Sequence, residues 1–113
     1  MEVVKKLSTE EFGNYVDQRV DSIMNTLVIK GKEYSRNDDR LHNFNQGALI
    51  TGQTRERVLD GFLMKHLISY RDILNDIDNN VLENNPDYIR EKFGDIINYF
   101  IIQEMQCLER IKQ

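Results

Sequence analysis

Lys65, Ser69, Asp72 and Asp76 are spaced four, three and four residues apart, so a helix through them carries a cation, a hydroxyl and two carboxylates on one face. Groups of those types hold phosphate oxygens or a divalent cation, and they also make an ordinary solvent-facing edge. His66 stands beside them among Met64, Leu67 and Ile68, and suits a core position as well as a ligand contact. Glu91 and Asp95 form a second pair one turn apart, with Gly94 between them and Asn98 a turn further on. Carboxylates at that spacing are how helices present oxygen ligands to magnesium, although the spacing alone is common. A glycine inside a helix costs about 1 kcal/mol relative to alanine, which favours reading Gly94 as a point of close backbone packing. The third candidate is the stretch KGKEYSRNDDRLHNF from Lys30 to Phe44, where Lys30, Lys32, Arg36 and Arg40 alternate with Glu33, Asp38 and Asp39. It has no periodicity and reads as a polar loop, either a solvated turn or a ligand-binding segment.

The elements that must position these residues are helical. Ser8 and Glu11 make a capping box ahead of a stripe at Phe12, Val16, Val20, Ile23 and Leu27, which predicts a first helix ending near Lys30 with Gly31 as its stop. Beyond the loop, Gln46 to Ile50 predicts a short helix stopped by Gly52. Thr54 then caps a long helix to Asp78 with apolar positions at Val58, Phe62, Leu63, Leu67, Tyr70, Ile73, Leu74 and Ile77. Asn85 and Pro86 restart the chain as cap and first helical residue, and the last helix runs toward Ile111. Its apolar positions from Ile89 to Ile111 form a stripe wide enough to be covered on more than one side, which predicts a homo-oligomer. Three long helices and one short one predict an all-α antiparallel bundle.

A chain of 113 residues and 13.4 kDa has room for one domain, residues 1–113. With 40% hydrophobic and 30% charged residues it is too apolar for a disordered chain and too polar for a membrane span. A net charge of −4 has the wrong sign for coating nucleic acid non-specifically. The single cysteine, Cys107, forms no internal disulfide, and Met1-Glu-Val-Val-Lys-Lys6 lacks the apolar centre of a signal peptide, so the expected location is a reducing cytoplasm.

Three segments in order carry a family resemblance: Arg40-Leu-His-Asn-Phe44; Lys65-His66 with Ser69 and Asp72; and Glu91-Lys-Phe-Gly-Asp-Ile-Ile-Asn-Tyr99. Together with Lys32-Glu-Tyr-Ser35 and Asp38-Asp39 they resemble the phage and prophage proteins called nucleotide modification associated domains, over nearly the whole chain after the first helix. Those proteins in turn are similar to the all-α MazG-type nucleoside triphosphate pyrophosphatases, helical oligomers that hold magnesium and a nucleotide between helices. The resemblance implies a MazG-like bundle, a nucleotide ligand and a host-cell cytoplasm; Glu91 and Asp95 match its metal-binding motif, Asp72, Asp39 or Glu33 could add to them, and an enzymatic reading takes Glu91, Asp95 and Asp72 as the magnesium ligands.

The departures from that pattern bear on the chemistry. MazG-type enzymes carry EExxE on one helix and EExGD on the next, because several carboxylates are needed to hold the metals that bridge a triphosphate. Here the first motif falls on Lys65-His66-Leu-Ile-Ser69, and Lys92 stands where the second glutamate of the other motif belongs. Lys65, His66 and Ser69 would then bind phosphate oxygens directly. In the loop, Tyr34 offers a face for a base, Arg36 and Arg40 offer bidentate contacts to phosphate, and Asn43 can read a base edge. Three functions follow as expectations. The first is a phage-encoded protein that binds a nucleotide or cyclic nucleotide, sequestering a signal of host defence. The second is a magnesium-dependent nucleoside triphosphate pyrophosphatase, with turnover expected to be weak. The third is a structural or host-protein-inhibiting bundle.

Overall fold

The structure, a computed structural model, describes residues 5–112. It is all-α: helices α1 (Thr9–Ile23), α2 (His42–Thr51), α3 (Arg55–Asp78) and α4 (Pro86–Lys112). Between α1 and α2 the chain makes a π-helical turn over Met24–Ile29 and a 3-10 turn over Lys30–Tyr34. No helix among the described residues is long and apolar enough to cross a membrane.

The predicted caps set the starts. Ser8 Oγ accepts the Glu11 N–H at 3.0 Å, Thr54 Oγ1 accepts the Arg57 N–H at 3.2 Å, and Asn85 Oδ1 accepts the Tyr88 N–H at 3.2 Å. Gly52 ends α2 with φ 70°, a left-handed conformation that glycine adopts without strain.

α3 and α4 pair antiparallel: Glu56 meets Arg110, His66 meets Asp95, and Tyr70 packs edge-on against Phe93 with ring centroids 5.6 Å apart. The core lies toward the Arg110 end of this pair. Phe44 from α2 joins Leu59 and Leu63 from α3, and Leu41, Val58, Leu67, Ile96, Tyr99 and Ile102 pack around them. Gly47 lets α2 approach α3, since a Cβ there would come within 2.8 Å of Val58. At the same end a polar clasp ties the two helices. Arg110 donates to both Glu56 oxygens, at 3.1 and 2.7 Å, and Gln103 Nε2 donates to the Glu56 carbonyl at 2.8 Å. Fully buried Gln106 donates to Gln103 Oε1 at 3.0 Å, and its carbonyl accepts from Arg55 at 3.4 Å.

Four expectations are corrected. The first helix is regular only to Ile23, and its continuation widens and then tightens rather than running straight to Lys30. Gly31 is no stop: it is buried under Arg40, where a Cβ would lie 2.7 Å from the arginine Nε. The short helix starts at His42, four residues before Gln46, because the turn ahead of it already ties Asp39 to Leu41, His42 and Asn45. The stripe at Phe12, Val16 and Val20 is exposed, while Ile23 and Leu27 are half-buried. α1 instead rests on α4 through Arg19, whose guanidinium lies over Gly94 and donates to the Arg90 carbonyl at 3.3 Å.

Two measurements check this packing. Leu59→Ala, at a fully buried position, is expected to lower stability by about 2–5 kcal/mol in urea unfolding. The hydrogen bond from Arg110 holds the Glu56 carboxyl below its ordinary value of 4.5, against the opposing effect of burial. A lowered folded value contributes stability that is present above the unfolded value and is lost as pH falls through the folded one. Glu56→Gln is therefore expected to lower Tm by a few degrees near neutrality, a deficit that closes as pH falls below about 4.5.

Candidate functional site

A cleft of about 270 Å³, open to solvent on one side, lies between the π-helical turn after α1, the loop before α2, and α4. Thr26 and Leu27 form one wall, Asp95, Asn98, Tyr99 and Ile102 another, and Tyr34, Arg40, Asn43 and Phe44 close the third. The α4 residues line it because Asp95, Asn98, Tyr99 and Ile102 fall three or four positions apart on one helix face.

The loop side is built by a tight turn. Arg36 and Asp39 exchange both backbone hydrogen bonds, at 3.2 and 3.0 Å, around Asn37 and Asp38, which take positive φ of 54° and 59°. Such a two-residue turn requires the left-handed region at both central positions, which asparagine and aspartate tolerate best after glycine. Asp39 then accepts the Leu41 N–H at 2.9 Å and the Asn45 amide at 3.0 Å, so its carboxylate is committed to holding the loop on α2. Ser35 closes the other side by donating to the Gly31 carbonyl at 3.1 Å. Between these anchors Arg40 lies with its guanidinium carbon 5.7 Å from the centre of the Tyr34 ring. Its Nε is buried and has no hydrogen-bond partner. A buried donor without a partner costs about 1–3 kcal/mol, and this one lies against Gly31 while the Arg40 side chain lines the cleft.

On the α4 side, His66 Nδ1 lies 3.5 Å from Asp95 Oδ2, and its ring stacks obliquely on Tyr99 at 5.2 Å. The nitrogen and carboxylate are close enough to attract when the histidine is protonated. They are not aligned as a hydrogen bond, and Nδ1 has no other partner. The Tyr99 phenol is pushed above its ordinary value of 10.0 by burial, and then by the Asp95 charge and by Tyr34.

Of the residues singled out in the sequence, Tyr34, Arg40 and Asn43 line the cleft. Arg36 lines a neighbouring depression with Glu33, Tyr34, Ser35, His42 and Asn43. His66 stands behind Tyr99 rather than in the cleft wall. Lys65 is exposed, and the Ser69 hydroxyl donates to the Lys65 carbonyl at 3.2 Å within its own helix. Neither lines the cleft. The three carboxylates assigned to magnesium do not meet: Asp95 is in the cleft, while Glu91 and Asp72 are exposed on α4 and α3. Among the described residues no group of three or more His, Cys, Asp and Glu side chains is arranged to hold a metal ion. One carboxylate with Asn98 is a thin oxygen set for a cation that prefers six ligands. Sequence reasoning missed Tyr99 and Ile102, four residues beyond Asp95 and Asn98 on the same helical face, and Arg19, which no motif marks.

No family model matches the sequence, and neither a curated protein nor a solved structure is detectably similar to it. The fold defines an all-α helical bundle, and the chemistry must be read from its own side chains.

The coupling of Tyr99 to Asp95 can be tested directly. Ultraviolet titration is expected to show Tyr99 ionising above pH 10, and Asp95→Asn is expected to move that step downward by removing the second of its causes.

Proposed function

We propose that the chain binds a phosphorylated nucleotide in this cleft and acts by holding it, as a phage protein that sequesters a nucleotide or cyclic nucleotide signal of host defence would. The observation that carries the reading is Arg40, which lines a cleft with two tyrosine rings and two asparagine amides while its own Nε lies unpartnered against Gly31. Arginine pairs with phosphate oxygens in a fork geometry, and a guanidinium already braced on Tyr34 loses little freedom in doing so. Tyr34, Tyr99 and Phe44 supply apolar and aromatic surface for a base. Asn43, Asn98 and Asp95 supply donors and acceptors for its edge. The resemblance to nucleotide modification associated domains points the same way, since RLHNF and EKFGDIINY contribute six of the ten residues lining the cleft.

A second reading, a magnesium-dependent nucleotide pyrophosphatase, is favoured by one observation: Asp95, the acid of the EExGD-like motif, lines the same cleft. It needs more oxygen ligands than Asp95 and Asn98 provide, so it ranks behind simple binding.

Calorimetry with nucleoside mono- and triphosphates and with cyclic dinucleotides is the test. Arg40→Ala is expected to cost about 1.5–3 kcal/mol, roughly 10- to 150-fold in affinity, and Tyr34→Ala about tenfold. Lys65→Ala, outside the cleft, is expected to leave affinity within about twofold. Binding is expected to persist in EDTA. Unchanged affinity in both cleft variants would remove the proposal, and metal-dependent turnover that vanishes in Asp95→Ala would put the pyrophosphatase reading first.

A further inference from the structure

The chain exposes far more surface than a compact monomer of its size. A folded monomer of 13.4 kDa is expected to expose roughly 6,500 Å², and this one exposes 9100 Å². Its radius of gyration is 17.2 Å, against roughly 13 Å for a compact chain of this length. The excess of about 2,600 Å² is several times the ~800 Å² that each partner contributes to a standard interface.

Part of the exposed apolar surface runs along α1 and α4. α1 lies alongside α4 in the same direction, with Arg19 opposite Gly94 and Thr26 and Leu27 across the cleft from Asn98 and Ile102. The face of α4 that carries Gly94 continues at helical spacing through Ile101, Met105, Leu108 and Ile111. α1 stops at Ile23 and the chain turns away toward α2, so among the described residues this upper half is only partly covered, its exposure rising from 39% at Ile101 to 79% at Ile111. α1 has the matching stripe, Phe12, Val16 and Val20, left exposed beside the lower half of α4. The stripes span nine and eleven residues, about 12–15 Å of helix from first to last Cα.

We propose that a second copy of this chain completes the bundle, with the Phe12, Val16 and Val20 stripe of each α1 seated antiparallel on the Ile101 to Ile111 face of the other copy's α4. The arrangement is isologous, so one two-fold axis covers both stripes twice and closes the assembly. The helix ends suit this direction better than the parallel one: the first turn of α1 carries Glu10 and Glu11, and the last turn of α4 carries Arg110 and Lys112, which also pair with Glu56 and Glu109 of their own chain. Antiparallel seating brings those ends together and also opposes the helix dipoles. The proposal stands on surface and charge alone, independent of any ligand in the cleft, although the bare stripe begins at Ile101, next to the cleft wall at Ile102.

Light scattering on the full chain at micromolar concentration is expected to give at least twice 13.4 kDa, and Tm is expected to rise with protein concentration. Val16→Glu and Leu108→Glu, at exposed positions, are each expected to shift the mass toward that of one chain with the helical circular dichroism retained. Leu49→Glu, equally exposed on α2, is expected to leave the assembly intact. If a glutamate variant unfolds instead, the concentration dependence of the native Tm decides. A native chain that scatters as a monomer with a concentration-independent Tm overturns the proposal. So does an oligomer that survives both Val16→Glu and Leu108→Glu, since its interface then lies elsewhere.

Discussion

The antiparallel register between α3 and α4 is the constraint from which the rest of the molecule follows. Apolar side chains alone specify it poorly, because Ile, Leu and Val along both helices would pack nearly as well after a slip of one turn, about 5.4 Å. The clasp at the Arg110 end removes that freedom. Gln103 and Arg55 reach backbone carbonyls across the seam, Arg110 grips both oxygens of Glu56, and Gln106 is buried within the network. Directional bonds to fixed backbone atoms fail when displaced by a turn, so each slip would strand buried polar groups as well as shift contacts. With the register fixed, Tyr99 arrives beside His66, and Asp95 and Asn98 arrive opposite the loop that carries Tyr34 and Arg40.

That loop is held by short-range chemistry rather than by the core. Asp39 ties three donors of the following segment, and the Asn37–Asp38 turn reverses the chain in two residues. Gly31 then allows the Arg40 side chain to lie against the 3-10 turn. A methyl group at residue 31 would displace the guanidinium from Tyr34 and from the cleft together, so a glycine that looks like a helix stop is a condition for the position of the one arginine in the wall. The π-helical turn at Met24–Ile29 completes the enclosure, since its Thr26 and Leu27 form the cleft wall that α4 faces.

Much of this was legible in the sequence, for identifiable reasons. Ser8, Thr54 and Asn85 with Pro86 announced three helix starts, because capping is a local interaction that needs no tertiary knowledge. The wide stripe on α4 announced uncovered surface, since a face broader than its neighbours can be counted from spacing. What failed was long-range or relied on a local rule overridden by packing. The periodicity of Phe12, Val16 and Val20 says that one face is apolar and cannot say whether this chain buries it. Lys65 and Ser69 were grouped with His66 because all lie near one another on α3, yet only His66 turns toward α4. Arg19 gave no signal, since an arginine on an amphipathic helix is ordinarily a solvated one. Its role comes from Gly94, seventy-five residues away, which the sequence marked only as a place of close approach.

Charge in the cleft sets the last constraint on what it can hold. Arg40 is a permanent cation on one wall, and Asp95 is a carboxylate on the other. A ligand of phosphate alone would gain from the first and be repelled by the second, whereas a nucleotide offers an anion at one end and base N–H groups at the other. In the proposed complex the carboxylate would accept from the base edge instead of standing as an obstacle. His66, outside the cleft wall, stands with its Nδ1 3.5 Å from the same carboxylate. The cleft therefore carries opposite charges on facing walls above a lining that includes Leu27, Phe44 and Ile102, and its asymmetry favours ligands whose own charge is separated in the same sense.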